Sequence, residues 1–222
     1  MPCFLVAVLA LGQAMGALGQ AEKQPPATTA MKAVVDQVEA DWVDGRWANT
    51  EVGPFLASTI LTPRGRVDKG IAIKVGDKAQ ATVCFNTELL GYNAAWTGGF
   101  LNMKANRYGL TSWPAPKGDM IFVNGNAVGW AHESGWNDPR ANKRGPLPRH
   151  WAKYRGLYRH GKRVALHYTV GDATILESPW AGEVGGQPFL SRTLEIGAAG
   201  KSLSSLVASD PKMTATLVDS TT

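Results

Sequence analysis

The feature that most constrains the fold is the stretch "YRGLYRHGKRVALHYTVGDATILES", Tyr154 to Ser178. Its middle run alternates Val164, Leu166, Tyr168 and Val170 on one side with Ala165, His167 and Thr169 on the other. An apolar period of two is the signature of a strand with one buried face. Arg159-His160-Gly161-Lys162 and Gly171-Asp172 supply turn chemistry on both flanks, so three consecutive antiparallel strands are predicted.

The same reading extends along the chain. "KGIAIKVGDKAQATVCFN" is a predicted hairpin, with Ile71, Ile73 and Val75 on one face, a turn at Gly76 and Asp77, then Ala81, Val83 and Phe85. "DMIFVNGNAVGWA" offers a second hairpin across Asn124-Gly125. "PFLSRTLEIG" adds a strand with Leu190, Leu194 and Ile196 aligned, and "KSLSSLVAS" a last one. A chain of 222 residues with 25 Gly and 13 Pro has many turns and enough length for a full core. These strands, with no helices between them, predict an all-β, antiparallel, jelly-roll-like β-sandwich. No internal repeat suggests a propeller.

The expected domain plan has four parts: a signal peptide over 1–21, a spacer with a short helix or extended segment over 22–46, the sandwich over 47–210 and a tail over 211–222. The leader reading rests on the uncharged apolar run "CFLVAVLALG" followed by small residues. "MKAVVDQVEADW" places Val34, Val35, Val38 and Trp42 on one face of a short helix. A secreted or periplasmic location follows, with no membrane span left after cleavage. Cys3 lies in the leader, so Cys84 is the one thiol remaining; it reads as a small core or half-buried residue.

Charge is localised. From Pro139 to Gly171 there is no Asp or Glu, whereas Arg140, Lys143, Arg144, Arg149, Lys153, Arg155, Arg159, Lys162 and Arg163 all fall there with His150, His160 and His167. This segment is the main source of the formal net charge of +5. It predicts an anionic partner, either a polysaccharide or an acidic extracytoplasmic protein; export excludes nucleic acid.

The eight Trp fall near predicted loops and strand ends. Indoles there either stack on sugar rings or plug the ends of the core. The candidate ligand-binding set is Trp136, Arg140, Arg149, Trp151, His160 and Trp96, with indoles as platforms and cations as anion contacts. Gly98 and Gly99 predict a corner that aims Trp96, while Asn86 and Asn93 are explained equally by ligand contact or turn capping.

No catalytic residue, metal site or cofactor is assigned. The sequence lacks a nucleophile elbow, a zinc-protease motif, a phosphate-binding loop and a haem-attachment motif. Glu88, Glu133 or Asp138 beside a histidine such as His132 forms the acid–base set of the alternative reading, a carbohydrate-active hydrolase or lyase. A third reading is a docking domain for an extracytoplasmic electron-transfer partner.

The segments "KGIAIKVG", "ATVCFNTELL", "AAWTGGFL", "GPLPRHWAKYRGLYRHGKRVALHYTVG" and "RTLEIG" together resemble a domain of unknown function found near the N-terminus of secreted, planctomycete-type multidomain proteins. The resemblance spans about Trp47 to Val207. It implies an accessory module that precedes sorbosone-dehydrogenase-like propellers and c-type haem domains. This chain carries neither, which suggests a stand-alone copy or a truncated product. The resemblance supplies no catalytic residues. The expected function is therefore a non-catalytic exported module that binds a glycan or a partner through basic, Trp-bearing loops.

Overall fold

A computed structural model describes residues 3–10, 51–103, 113–133, 135–209, 214 and 216, the first stretch as backbone. The segment expected to form a short helix before Trp47 lies outside the described residues. Among the described residues twelve strands follow in order: β1 (Cys3–Ala10), β2 (Phe55–Thr62), β3 (Gly65–Val75), β4 (Ala81–Asn86), β5 (Gly91–Thr97), β6 (Leu101–Asn102), β7 (Ala115–Pro116), β8 (Asp119–Val123), β9 (Ala152–His160), β10 (Arg163–Val170), β11 (Ala173–Val184) and β12 (Gln187–Ile196). They form one sheet in the order β1-β12-β11-β10-β9, a second in the order β2-β3-β4-β5-β8, and the small ribbon β6-β7. The all-β sandwich expected from alternation is what the chain builds. Its connectivity departs from a jelly roll, because strands here run beside their chain neighbours within each sheet instead of alternating between sheets.

The inner faces meet in one core. Ile71, Ile73, Val83, Phe85 and Tyr92 of the second sheet pack with Val164, Leu166, Tyr168, Ile175 and Leu194 of the first. Phe85 lies between aromatic neighbours, 5.3 Å from Tyr92 and 5.9 Å from Tyr168 by ring centres. A smaller core lies on the far side of the second sheet, where Ile60, Val67, Ala72, Cys84, Ala94, Trp96 and Leu101 cluster. With apolar neighbours on both sides, every residue of β4 is buried, including Thr82 and Cys84.

A charged pair lies inside this apolar frame. Glu177 is 1% exposed and accepts hydrogen bonds from the Tyr168 hydroxyl and from Arg192 Nε. Arg192 also donates to the Leu206 carbonyl at 2.9 Å and to Ser205 Oγ at 3.3 Å, which ties the segment after β12 to the first sheet. Burial alone would lower the Arg192 pKa, but the Glu177 carboxylate outweighs it and holds the guanidinium firmly protonated.

Two expected elements are absent. β8 pairs with β5, and the chain beyond Asn124-Gly125 runs on as a cover without forming a hairpin. Both amides of that dipeptide donate to the Asn93 carbonyl, and Val128 and Trp130 are buried in the core. The cover lies close. A Cβ on Gly129 would stand 1.8 Å from the Leu90 carbonyl oxygen, so only glycine permits the crossing. "KSLSSLVAS" likewise contributes one isolated bridge, Ser205 with Trp130, in place of a strand.

The apolar run read as a leader appears as β1, paired antiparallel with β12 from Cys3 opposite Ile196 to Ala10 opposite Phe189. If that run is removed on export, β12 becomes an edge strand. Among the described residues no helix is long and apolar enough to cross a membrane.

Candidate functional site

The solvent face of the first sheet is set by the alternation of β10. Val164, Leu166, Tyr168 and Val170 are all buried, which leaves Arg163, Ala165, His167 and Thr169 outward. The β9 register places Tyr158 opposite Ala165, one diagonal step from His167. The two rings stack with centres 5.8 Å apart at an interplanar angle of 26°, and Tyr158 is 59% exposed. On the neighbouring strand the Arg163 guanidinium lies over the Trp180 ring, 3.8 Å from its centre. A cation held on an indole keeps its N–H groups available for an anion while losing little freedom on binding.

The flanks of this face are cationic. Arg155, Arg159 and His160 are exposed on β9, and Lys162 reaches across the sandwich end to donate to the Asp77 carbonyl at 2.9 Å. The outward residues of β10 include no carboxylate, and on β11 the exposed Glu183 lies beyond Trp180 at the end of the strand. Arg155 is the extra residue of a bulge in β9, between Tyr154 opposite Tyr168 and Gly156 opposite His167. Bulges of this kind re-aim side chains at strand edges.

The sequence-derived candidates are not brought to one place. Trp96 is fully buried in the smaller core and donates its indole N–H to the Phe100 carbonyl at 2.7 Å. Trp151 is 4% exposed and packs in the main core. Neither offers a ring to solvent, so the core-plugging alternative describes both. Arg140 is enclosed: Nε donates to Asp138 at 2.9 Å, and Nη1 donates to the Gly145 carbonyl and lies 3.7 Å from Glu88. Trp136 and Arg149 are exposed in the connection before β9. His160 stands at the other end of β9, roughly 25 Å along the strand from Arg149 at the usual rise per residue.

The acid–base set is likewise resolved by its partners. The Arg140 hydrogen bond holds Asp138 below the usual carboxylate range, against a smaller opposing effect of burial. Glu88 faces the same guanidinium. A general acid needs its proton held near neutral pH, and Asp138 is arranged the opposite way. Glu133 is exposed, with a positive φ of 50°. His132 lies beside His150 and Trp151, at ring-centre distances of 5.8 and 5.0 Å. Among the described residues no three His, Cys, Asp or Glu side chains gather as a metal site.

The turn-capping alternative accounts for Asn86, whose Oδ1 accepts from the Glu88 and Leu89 amides at 2.9 and 3.3 Å. Its Nδ2 and that of Asn93 both donate to Asn126 Oδ1.

Sequence reasoning passed over Tyr158, and it counted Arg163, His167 and Trp180 without joining them. The signal was present: His167 lies on the outward side of an alternating strand, and a short turn sets β9 beside it. The register that makes neighbours of these four side chains is a pairing property, which spacing alone does not give.

Residues 83–177 match the family model described as a domain of unknown function, DUF6797. The matched stretch runs from β4 into β11 and includes Tyr158, Arg163, His167 and the buried Glu177. No curated protein matches the chain, and no solved structure does.

Proposed function

We propose that this chain is an exported, non-catalytic accessory module that binds an anionic polysaccharide across the outer face of β9, β10 and β11. The observation that carries the reading is the pair of stacks on one exposed sheet face, Tyr158 on His167 and Arg163 on Trp180. A sheet face is broad and flat, which suits a chain of sugar rings better than a small molecule. Tyr158 offers a ring for sugar C–H groups, Arg163 and Arg155 offer charge-assisted hydrogen bonds to carboxylate or sulfate, and His160 adds ring nitrogens that hydrogen-bond. Export fits this reading because the apolar N-terminal run has the character of a leader.

Affinity electrophoresis in gels containing pectate, alginate or neutral hydroxyethylcellulose tests it. Stronger retardation by an anionic polymer than by the neutral one, with that excess lost in Arg163→Ala and Tyr158→Ala, is expected. Equal mobility in all three gels would overturn the reading. The acidic-protein alternative uses the same cations, but it needs no ring at position 158, so full binding by Tyr158→Ala would favour it.

A further inference from the structure

The sandwich stays open along one side, between the edge strands β2 and β9. The opening is a groove of about 400 Å³. Both walls are irregular at this level. Asp68 and Lys69 of β3 together face Thr59 of β2 where their register shifts, and Arg155 bulges out of β9 beside Tyr154. Each irregularity turns backbone that would otherwise continue a ladder toward the gap.

The lining is polar at its rim and apolar at its base. Thr59 Oγ1 and Thr87 Oγ1 donate to the Asp68 and Lys69 carbonyls at 3.0 and 2.9 Å, and Ser58 Oγ donates to the Thr59 carbonyl at 3.1 Å. Because each hydroxyl proton is committed inward, the oxygens are left as acceptors. The Asp68 carboxylate, paired with Arg66, adds further acceptors. Lys69 is exposed at the same rim and supplies donors. Leu157 and the Tyr154 ring, both half-buried, provide the apolar wall. Burial raises the Tyr154 phenol pKa, so its hydroxyl stays protonated at neutral pH.

From this arrangement we propose that the β2/β9 groove is a second binding site, for one or two rings of an uncharged, hydroxyl-rich sugar. A sugar hydroxyl both donates and accepts, which matches a rim of acceptors with a lysine and a phenol among them. The C–H side of a pyranose matches Tyr154 and Leu157. The volume falls within the range of small-ligand pockets. Recognition here is by hydroxyl groups, whereas the outer sheet face recognises charge. The inference extends the proposed glycan binding, but it does not require the aromatic face to be occupied.

Isothermal titration of the full chain with neutral cellotriose tests it, using wild type, Ala57→Trp and Asp68→Asn. Ala57 is exposed at the groove, so a Trp there fills the opening without entering the core. Millimolar or tighter binding by wild type, lost in Ala57→Trp and about tenfold weaker in Asp68→Asn, is the expected result. Asp68→Asn reports independently should Ala57→Trp not fold. No heat with cellotriose up to about 20 mM, or binding that survives both groove substitutions, would overturn the groove site. Failure of the sheet-face reading is seen separately, as unaltered retardation of Tyr158→Ala in pectate gels.

Discussion

The guanidinium of Arg163 lies 3.8 Å from the centre of the Trp180 ring. The register that opposes Leu166 to Glu177 brings β10 and β11 together so that these two meet on the outer face. Cation–π contact is worth about 0.5–1 kcal/mol at an exposed site. Its larger effect is to fix the cation where an anion arrives. Arg163→Lys is therefore expected to retain charge yet weaken pectate binding several-fold, because an ammonium lacks the planar fork. Arg163→Ala should weaken it by about tenfold, equivalent to ~1.4 kcal/mol. Dissociation constants measured at two salt concentrations check both, and all of them should rise with salt.

Glu177 and Arg192 are the fold's most exposed liability in energetic terms. Removing one member leaves the other charged and buried, at a cost of about 3–5 kcal/mol. Glu177→Ala and Arg192→Ala are both expected to lower the urea midpoint steeply. The double substitution to Leu and Met should recover much of the loss, since a well-packed apolar pair removes the desolvation penalty. Chemical denaturation followed by Trp fluorescence measures this.

What was legible in the sequence was the alternation. Val164 to Val170 and Ile71 to Phe85 announced their faces because one side of each strand repeats every second residue. Position in the sheets was less legible. β4 is buried on both sides, so Thr82 and Cys84, off the Ala81–Phe85 period, are both enclosed, Cys84 in a second core. The Asn124-Gly125 turn signal was real, but its amides close onto Asn93 instead of a partner strand. For the site, the basic segment was visible as composition. Strand β9 then divides it between two ends, and Asp138 and Glu88 hold Arg140, so no count of charges identified which cations stay available.

Asp138 gives a pH-dependent contribution whose sign is fixed. Its folded-state pKa lies below the unfolded one, so the stabilisation is present above the unfolded value, about 3.9, and is lost as pH falls through the folded value. Asp138→Asn should therefore be less stable than wild type at pH 7, and the gap should narrow as pH falls below about 3.9. Urea unfolding at several pH values shows whether the two curves converge on the acid side.

Cys84 should be inert. Burial pushes its thiol pKa up to about 12, and the side chain has no exposure. A thiolate is the reactive form, so labelling of Cys84 by a thiol reagent at pH 8, read by mass spectrometry of its own peptide, should be undetectable in the native chain and rapid in urea. Cys84→Ser should cost stability by placing a hydroxyl among Ala72, Ala94 and Trp96.

The most direct test of the central claim is amide chemical-shift mapping with a galacturonate oligomer. Binding across the outer sheet face predicts the largest shifts at Tyr158, Arg163, His167 and Trp180, with little change at Trp136 and Arg149. Shifts confined to the connection around Trp136 and Arg149, or none anywhere at saturating oligomer, would contradict it.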